Sequence, residues 1–223
     1  MLVRNTKIII MNQIKIGITA ETLTPFCYHS LMVQNGTATL PELIGDRAIA
    51  FGLAATLGML SSSVVLPKKD YRSHLKAMPY RTSVFTIATE FNQPRLLPPL
   101  VRRLNLDEEG GYPPKHIASG IGNLRTFFQT QEVPHGQKFK GALFGFDPFQ
   151  ETGKNELVIR IGLHRNGMVL LKRSDSISQV YLNAATAALF NQTLPVNRYC
   201  LHSLQITPGY SLTEAWQEVS QWD

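Results

Sequence analysis

Eight cations fall between Val64 and Arg103: Lys68, Lys69, Arg72, Lys76, Arg81, Arg95, Arg102 and Arg103. Only Asp70 and Glu90 oppose them. This stretch alone therefore holds an excess equal to the formal net charge of +6 for all 223 residues. His74 lies within it, and Tyr71, Tyr80, Phe85 and Phe91 are interleaved with the cations. Cationic side chains neutralise phosphates, and flat rings stack on unpaired bases. The pattern predicts a nucleic-acid surface rather than a solvated loop. A second set of basic residues follows: Arg125, Lys138, Lys140, Arg160, His164 and Arg165. Arg160 sits on a strand opposite the face of Leu157, Ile159 and Ile161, so it either borders solvent or meets a phosphate. His164 and Arg165 fall at a hairpin tip, where phosphate or solvent is the natural contact.

Other chemistries are poorly represented. The histidines His29, His74, His116, His135, His164 and His202 form no close pair suited to zinc. Cys27 and Cys200 lie far apart and add nothing at metal spacing. No phosphate loop with a following Lys-Ser/Thr occurs, and Gly120-Ile121-Gly122 lacks a strand-turn-helix setting. No Gly-x-Ser-x-Gly elbow is present. The sequence implies no cofactor. With 43% hydrophobic and 17% charged residues it can build a core. No apolar run has the length to span a bilayer, and Met1 to Ile10 is followed by no small-residue cleavage site. The expectation is a cytoplasmic protein with no membrane partner and with cysteines acting as small hydrophobes.

The elements that must carry these residues follow from periodicity. Ile14, Ile16, Ile18 and Ala20 alternate with polar or small residues and predict a half-buried strand. Leu43, Ile44, Ala48, Phe51, Ala55 and Leu57 are spaced for one face of a helix ending at Gly58, with Asp46 and Arg47 solvated. Pro67 to Pro79 reads as a loop or extended arm, and Arg81 to Thr89 as a strand. Prolines and the run Asp107-Glu108-Glu109-Gly110-Gly111 mark a long irregular region, within which Pro98-Pro99 opens a short helix through Val101 to Leu104. Strands are expected over 126–132 and 138–146, followed by a hairpin of 157–163 and 168–173 around Asn166-Gly167. Phe127, Phe128, Phe144 and Phe146 read as core rather than as base-stacking residues. Ile177 to Phe190 is expected to be helical, Tyr199 to Ile206 a strand, and the last helix to start at Ser211 with a capping box to Glu214. This order suits an α+β, ferredoxin-like (RRM-like) fold: an antiparallel sheet with helices on one face and the other free for RNA. One domain over 1–223 is expected, with an extension over 1–13, a basic and Pro-rich insertion over 64–125, and hairpins with C-terminal helices over 126–223.

Several stretches resemble the RAMP proteins of CRISPR systems. Glu132-Val133-Pro134-His135-Gly136-Gln137-Lys138-Phe139, followed by Gly141-Ala142-Leu143-Phe144-Gly145, is similar to a Val-Pro-x-Gly-x-x-Phe turn that feeds a core strand there. Ile159 to Gly167 resembles the strand and hairpin that follow. Leu40-Pro41-Glu42-Leu43-Ile44-Gly45 before an apolar helix resembles the first strand and helix of that superfamily. In order of elements and in the basic insertion, the chain looks most like the Cas-five family, subunits of Cascade-type effectors.

The resemblance implies a RAMP fold with a basic arm or thumb supplied by Val64 to Arg103. It also implies a non-catalytic role: holding the five-prime handle of the CRISPR RNA and contacting the backbone subunit and large subunit of the effector. The same cations would also serve target DNA, because phosphate contacts alone do not discriminate. Sister RAMP proteins cut repeat RNA by metal-independent acid–base chemistry, which needs a base at the 2′-hydroxyl and an acid at the leaving oxygen. For that alternative, Tyr28 with His29, or His116 with Lys115, are the candidates. A third reading is a scaffold subunit that meets only proteins.

Overall fold

The computed structural model describes residues 13–27, 31–33, 36–59, 71–91, 93–98, 100–103, 127–162 and 167–222. Its centre is an antiparallel sheet built on β1 (Lys15–Thr22) and β9 (Lys138–Phe144). Their registers pair Ile18 with Gly141 and Thr19 with Lys140. On one side β1 pairs β11 (Gly167–Arg173), which forms the expected hairpin with β10 (Glu156–Ile161). On the other side β9 pairs β5 (Arg81–Thr82) and β6 (Phe85–Ile87), and β6 pairs the short β4 (Leu43–Ile44). A second sheet runs in the order β2 (Leu31–Val33), β3 (Gly36–Ala38), β8 (Phe127–Gln131), β7 (Leu100–Arg103). A third joins β12 (Gln179–Asn183), β14 (Leu204–Ser211) and β13 (Arg198–Leu201).

Alternation in β1 places Ile16, Ile18 and Ala20 on the core side, with Phe139 and Leu143 of β9 and Ile159 and Ile161 of β10. The helix α1 (Asp46–Thr56) covers that face. Its small residues do what their size predicts: Gly52 lies against the Arg160 carbonyl and Ile159, where a Cβ would come within 2.9 Å. Gly141 likewise leaves room for the Phe85 ring, which a Cβ would meet at 2.5 Å.

The turn at 133–139 shows why its residue types recur. Val133 is fully buried and exchanges backbone hydrogen bonds with Phe26. Gly136 takes φ +74°, a conformation that favours glycine, and its N–H donates to the Thr22 carbonyl. The Thr22 hydroxyl donates to the Pro134 carbonyl and accepts from the Gln137 N–H. Phe139 then enters the core. The motif clamps the end of β1 to the start of β9.

Several expectations are corrected. Helices occupy both faces of the sheet, not one. On the face away from α1, Ile177 packs over Gly17, and Lys15 donates to Thr213 of the C-terminal helix α5 (Leu212–Val219). Residues 177–190 are not one helix. They form β12, then the short α4 (Ala184–Ala187) and a 3-10 turn (Ala188–Phe190). Val180 with Ala184 and Ala187 fits a helical face, but Val180 with Leu182 fits a strand equally, and pairing with β14 decides it.

Pro98-Pro99 opens no helix: Leu100–Arg103 is a strand paired with β8. Tyr199 to Ile206 is two strands around a turn at His202-Ser203. The described part of the 67–79 stretch is neither loop nor extended arm but the helix α2 (Tyr71–Ala77). One further helix, α3 (Pro148–Thr152), was not expected. Asp147 accepts from the N–H groups of Phe149 and Gln150, and Gly153 closes it at φ +64°.

Asp46 is not solvated. It is 3% exposed and accepts from Asn183 Nδ2 at 2.7 Å and from the Thr186 hydroxyl. Arg47 joins this network through Thr186 at 3.0 Å and the Ala185 carbonyl at 2.9 Å. Asn183 also reaches the Ser203 carbonyl and accepts from the Gln205 N–H, tying the β13–β14 hairpin to α1. Burial raises the Asp46 carboxyl above its usual range, against the pull of Thr186, Asn183 and Arg47.

Candidate nucleic-acid interface

Strand register decides which cations share a surface. Residues paired directly across antiparallel strands point to the same face. One row on the side away from α1 therefore runs Glu156, Lys172, Thr19, Lys140, Thr86 across five strands. The next row runs Val158, Leu170, Glu21, Lys138, and Arg160 lies beside Met168. The C-terminal elements cover the Lys15 and Gly17 end of this face. The end carrying Lys138, Lys140, Lys172 and Arg160 stays half-buried to exposed; among the described residues Glu21 and Glu156 oppose those cations on the sheet itself, and Glu90 does so from its margin. Leu170, Met168 and Val158, which is 42% exposed, give the same surface an apolar floor.

The ion pairs on this face are exchangeable. Lys172 meets Glu156 at 3.4 Å, with both side chains about half exposed. Lys140 meets Glu90 at 3.2 Å, its side chain 35% exposed and that of Glu90 48%. A backbone hydrogen bond at Glu90 itself, with the Lys140 ammonium, holds that carboxyl below its ordinary range. Exposed pairs of this kind contribute only about 0–1 kcal/mol, so an incoming phosphate can replace the carboxylate at small cost. Lys138 sits 4.9 Å from the centroid of the Phe91 ring, which is 62% exposed beside Glu90. Cation and exposed ring together are the pair that a stacked, phosphate-linked base requires.

The cations of the 64–103 stretch do not act as one group. Arg81 is a correction: it is 7% exposed, so it offers no surface to a ligand. Its guanidinium donates to the carbonyls of Leu75, Met78, Tyr80 and Trp222 and lies 4.5 Å over the Phe190 ring. Lys76 lies 5.8 Å from the same ring, and Arg72 donates to Asn191 at 3.0 Å. His74 is half-buried, edge-on to Phe51.

Residues 72–81 of the stretch thus pack on the body. Arg95 is exposed. Arg102 and Arg103 lie on β7, opposite Phe128 and Phe127 of β8. Phe144 is in the core, and Phe146 packs beside Tyr80 with ring centroids 6.1 Å apart. Lys68, Lys69, Arg125, His164 and Arg165 lie outside the described residues, as do Tyr28, His29, Lys115 and His116.

Sequence reasoning missed Lys172. The local signal was its alternation with the buried Leu171; only the long-range pairing of β11 with β1 sets it across from Thr19. Among the described residues no three His, Cys, Asp or Glu side chains gather as a metal site, and no helix is long and apolar enough to cross a membrane.

A second concavity, of about 480 Å³, opens where the third sheet meets the central one. Thr86 and Lys140 of the open face reach into it. Ser176 to Gln179 and Tyr181 form one wall, and Asn197, Arg198 and Ile206 another. Arg198 donates to Glu42, which raises the Arg198 guanidinium further.

No family model and no curated protein matches the chain. Among solved structures it is similar to a chain of the Type III-B Cmr-beta complex bound to cognate target RNA and AMPPnP. That match has TM-score 0.41 and 13% identity, over 86% of this chain and 82% of that one. It is similar to a chain of a Type IV-B CRISPR complex, with TM-score 0.38 and 11% identity over 73% and 91%. It is also similar to Cmr4 of Pyrococcus furiosus, with TM-score 0.34 and 12% identity over 72% and 98%. These are weak whole-chain similarities, and none assigns an activity or a ligand. The chain itself is an α+β protein whose curled antiparallel sheet carries few helices.

Proposed function

We propose that this chain is a non-catalytic RNA-binding subunit of a CRISPR effector complex. The observation that carries the reading is the open end of the central sheet. Four cations from β9, β10 and β11 lie there over an apolar floor, with an exposed ring at its margin. Such a face binds a single strand by phosphate neutralisation and stacking, without any reacting group. The RAMP-like turn at 133–139 supports the same reading, because it is the device that fixes β9 against β1 and so sets the register of the cations.

Within this reading the bound strand is the CRISPR RNA, held at its five-prime handle. Neighbouring effector subunits dock against the 64–103 stretch, where Lys68, Lys69, Arg95, Arg102 and Arg103 supply further phosphate contacts. The experiment is binding of single-stranded RNA by the purified chain across a salt series. Combining Lys140→Ala, Arg160→Ala and Lys172→Ala removes three phosphate partners and lowers the slope of log K against log salt by about 2. An unchanged slope with a folded variant rejects the sheet face as the interface. Expression with the genomic neighbours and sequencing of copurified RNA tests the handle assignment. Cleavage of repeat RNA by the purified chain in chelator overturns the non-catalytic part.

A further inference from the structure

The 480 Å³ cleft between the central and third sheets has a chemistry the open face lacks. The two sheets are joined beside it, where the Val84 N–H of the β5–β6 segment donates to the carbonyl of Tyr181 in β12 at 2.8 Å. Its apolar lining comes from Leu43, Ile87, Ile177 and Ile206. Its polar rim carries the amides of Gln179 and Asn197 and the hydroxyls of Ser176, Ser178 and Thr86, groups that both donate and accept. Cations stand at two borders, Lys140 held by Glu90 and Arg198 held by Glu42.

The volume is in the range of about 300–1,000 Å³ usual for small-ligand clefts. A nucleobase has a flat apolar face and a polar edge, with an anionic linker beside it. A mixed cleft with an amide rim and cations at its mouth fits that shape of chemistry. It fits neither a metal ion nor a purely apolar side chain.

The amide of Gln179 is held in place. The Tyr181 hydroxyl donates to its Oε1 at 3.4 Å, and its Nε2 occupies the space above Gly209, where a Cβ would come within 2.1 Å. Tyr181 and Gly209 face each other in the β12–β14 register. A glycine opposite the tyrosine therefore makes room for an oriented amide at the cleft wall, as base-edge readout requires.

Resting on the RNA-binding reading above, we propose that this cleft takes one unstacked nucleotide of the bound strand. Gln179 and Asn197 read the base edge, Tyr181 lies against the base, and Lys140 with Arg198 meets the flanking phosphate. Lys140 belongs to both surfaces, so a strand lying on the open face reaches the cleft without a break.

The test uses the full chain and fluorescein-labelled single-stranded RNA on the order of a dozen nucleotides long, in four homopolymer sequences. The intact chain is expected to prefer one sequence. Gln179→Ala and Asn197→Ala together are expected to weaken the preferred sequence roughly tenfold, a loss of the size that base contacts carry. The same variant flattens the preference and leaves the salt slope unchanged, since no cation is lost. Gly209→Ala, which evicts the Gln179 amide without altering either rim amide chemically, is expected to flatten the preference in the same way. Thermal unfolding of each variant checks that the fold is intact.

Salt-dependent binding that neither variant alters, in affinity or in preference, overturns the cleft and leaves the RNA-binding reading standing. If the intact chain binds none of the four RNAs, both readings fall.

Discussion

Arg81 offers a sharp separation of structural from functional charge. Replacing it with alanine removes a guanidinium that donates to four carbonyls, those of Leu75 at 3.1 Å, Met78 and Tyr80 at 2.9 Å and Trp222 at 3.2 Å. It also removes the cation over Phe190, a ring that stacks on Trp222. Hydrogen bonds from a charged donor contribute about 1.5–3 kcal/mol each, but they share one side chain and are not additive. Some of the carbonyls regain water, and the cost of burying the charge is relieved.

A net loss of about 3–4 kcal/mol follows, at the upper end of single substitutions. For a chain of this size each kcal/mol lowers the Tm by about 2–4 °C, so the transition drops by about 10 °C. Differential scanning calorimetry reads this directly. RNA affinity and its salt slope, taken well below the transition, are expected to match the unaltered chain. Full thermal stability in Arg81→Ala, together with a salt slope reduced by about 0.7, refutes the reasoning, because one lost phosphate contact predicts that change.

Asp46 gives a pH-dependent prediction. Burial raises its carboxyl in the folded chain above the ordinary 3.8, so the folded state holds the proton more tightly. The stability it contributes is fully present below 3.8 and is lost as pH rises through the raised value. The Tm of the unaltered chain minus that of Asp46→Asn therefore falls with rising pH across that window; a difference that is flat or rising contradicts it. Gly141→Ala forces a methyl into the Phe85 ring and is expected to cost several kcal/mol, on the order of 2–4, by urea unfolding. Ser211→Ala removes the hydroxyl that accepts from the Glu214 N–H and is expected to cost about 1 kcal/mol in the same assay, with RNA affinity unchanged. Combining Lys68→Ala, Lys69→Ala and Arg72→Ala is expected to weaken RNA binding and to flatten its salt dependence; identical isotherms across the salt series would remove the basic stretch from the interface.

The local elements were legible because their signals are local. Alternation in β1, the antiparallel pairing of β10 with β11 and the Ser211–Glu214 capping box depend on residues a few positions apart, and each is present where expected; the Asn166 end of the β10–β11 turn lies outside the described residues. The short α3 carried an equally local signal, Asp147-Pro148 with Gly153 after it, which a reading for strands passes over. Misreadings arose where two periods coincide. Over 177–190 the apolar spacing satisfies both helix and strand, and only the partner strand β14 chooses between them.

Charge was legible in amount but not in placement. The amino-acid order by itself determined that this chain carries an excess of cations, an apolar core of alternating strands and a turn that fixes two of them together. Only the tertiary structure decided that Arg81 points inward to carbonyls while Lys138, Lys140, Arg160 and Lys172 share one open surface. It likewise decided that Asp46 and Arg47 close a buried network with Asn183 and Thr186, more than a hundred positions away. The physical reason is register. Which side of a sheet a residue occupies alternates at every step, so a shift of one position between distant strands moves each of these charges from water to core.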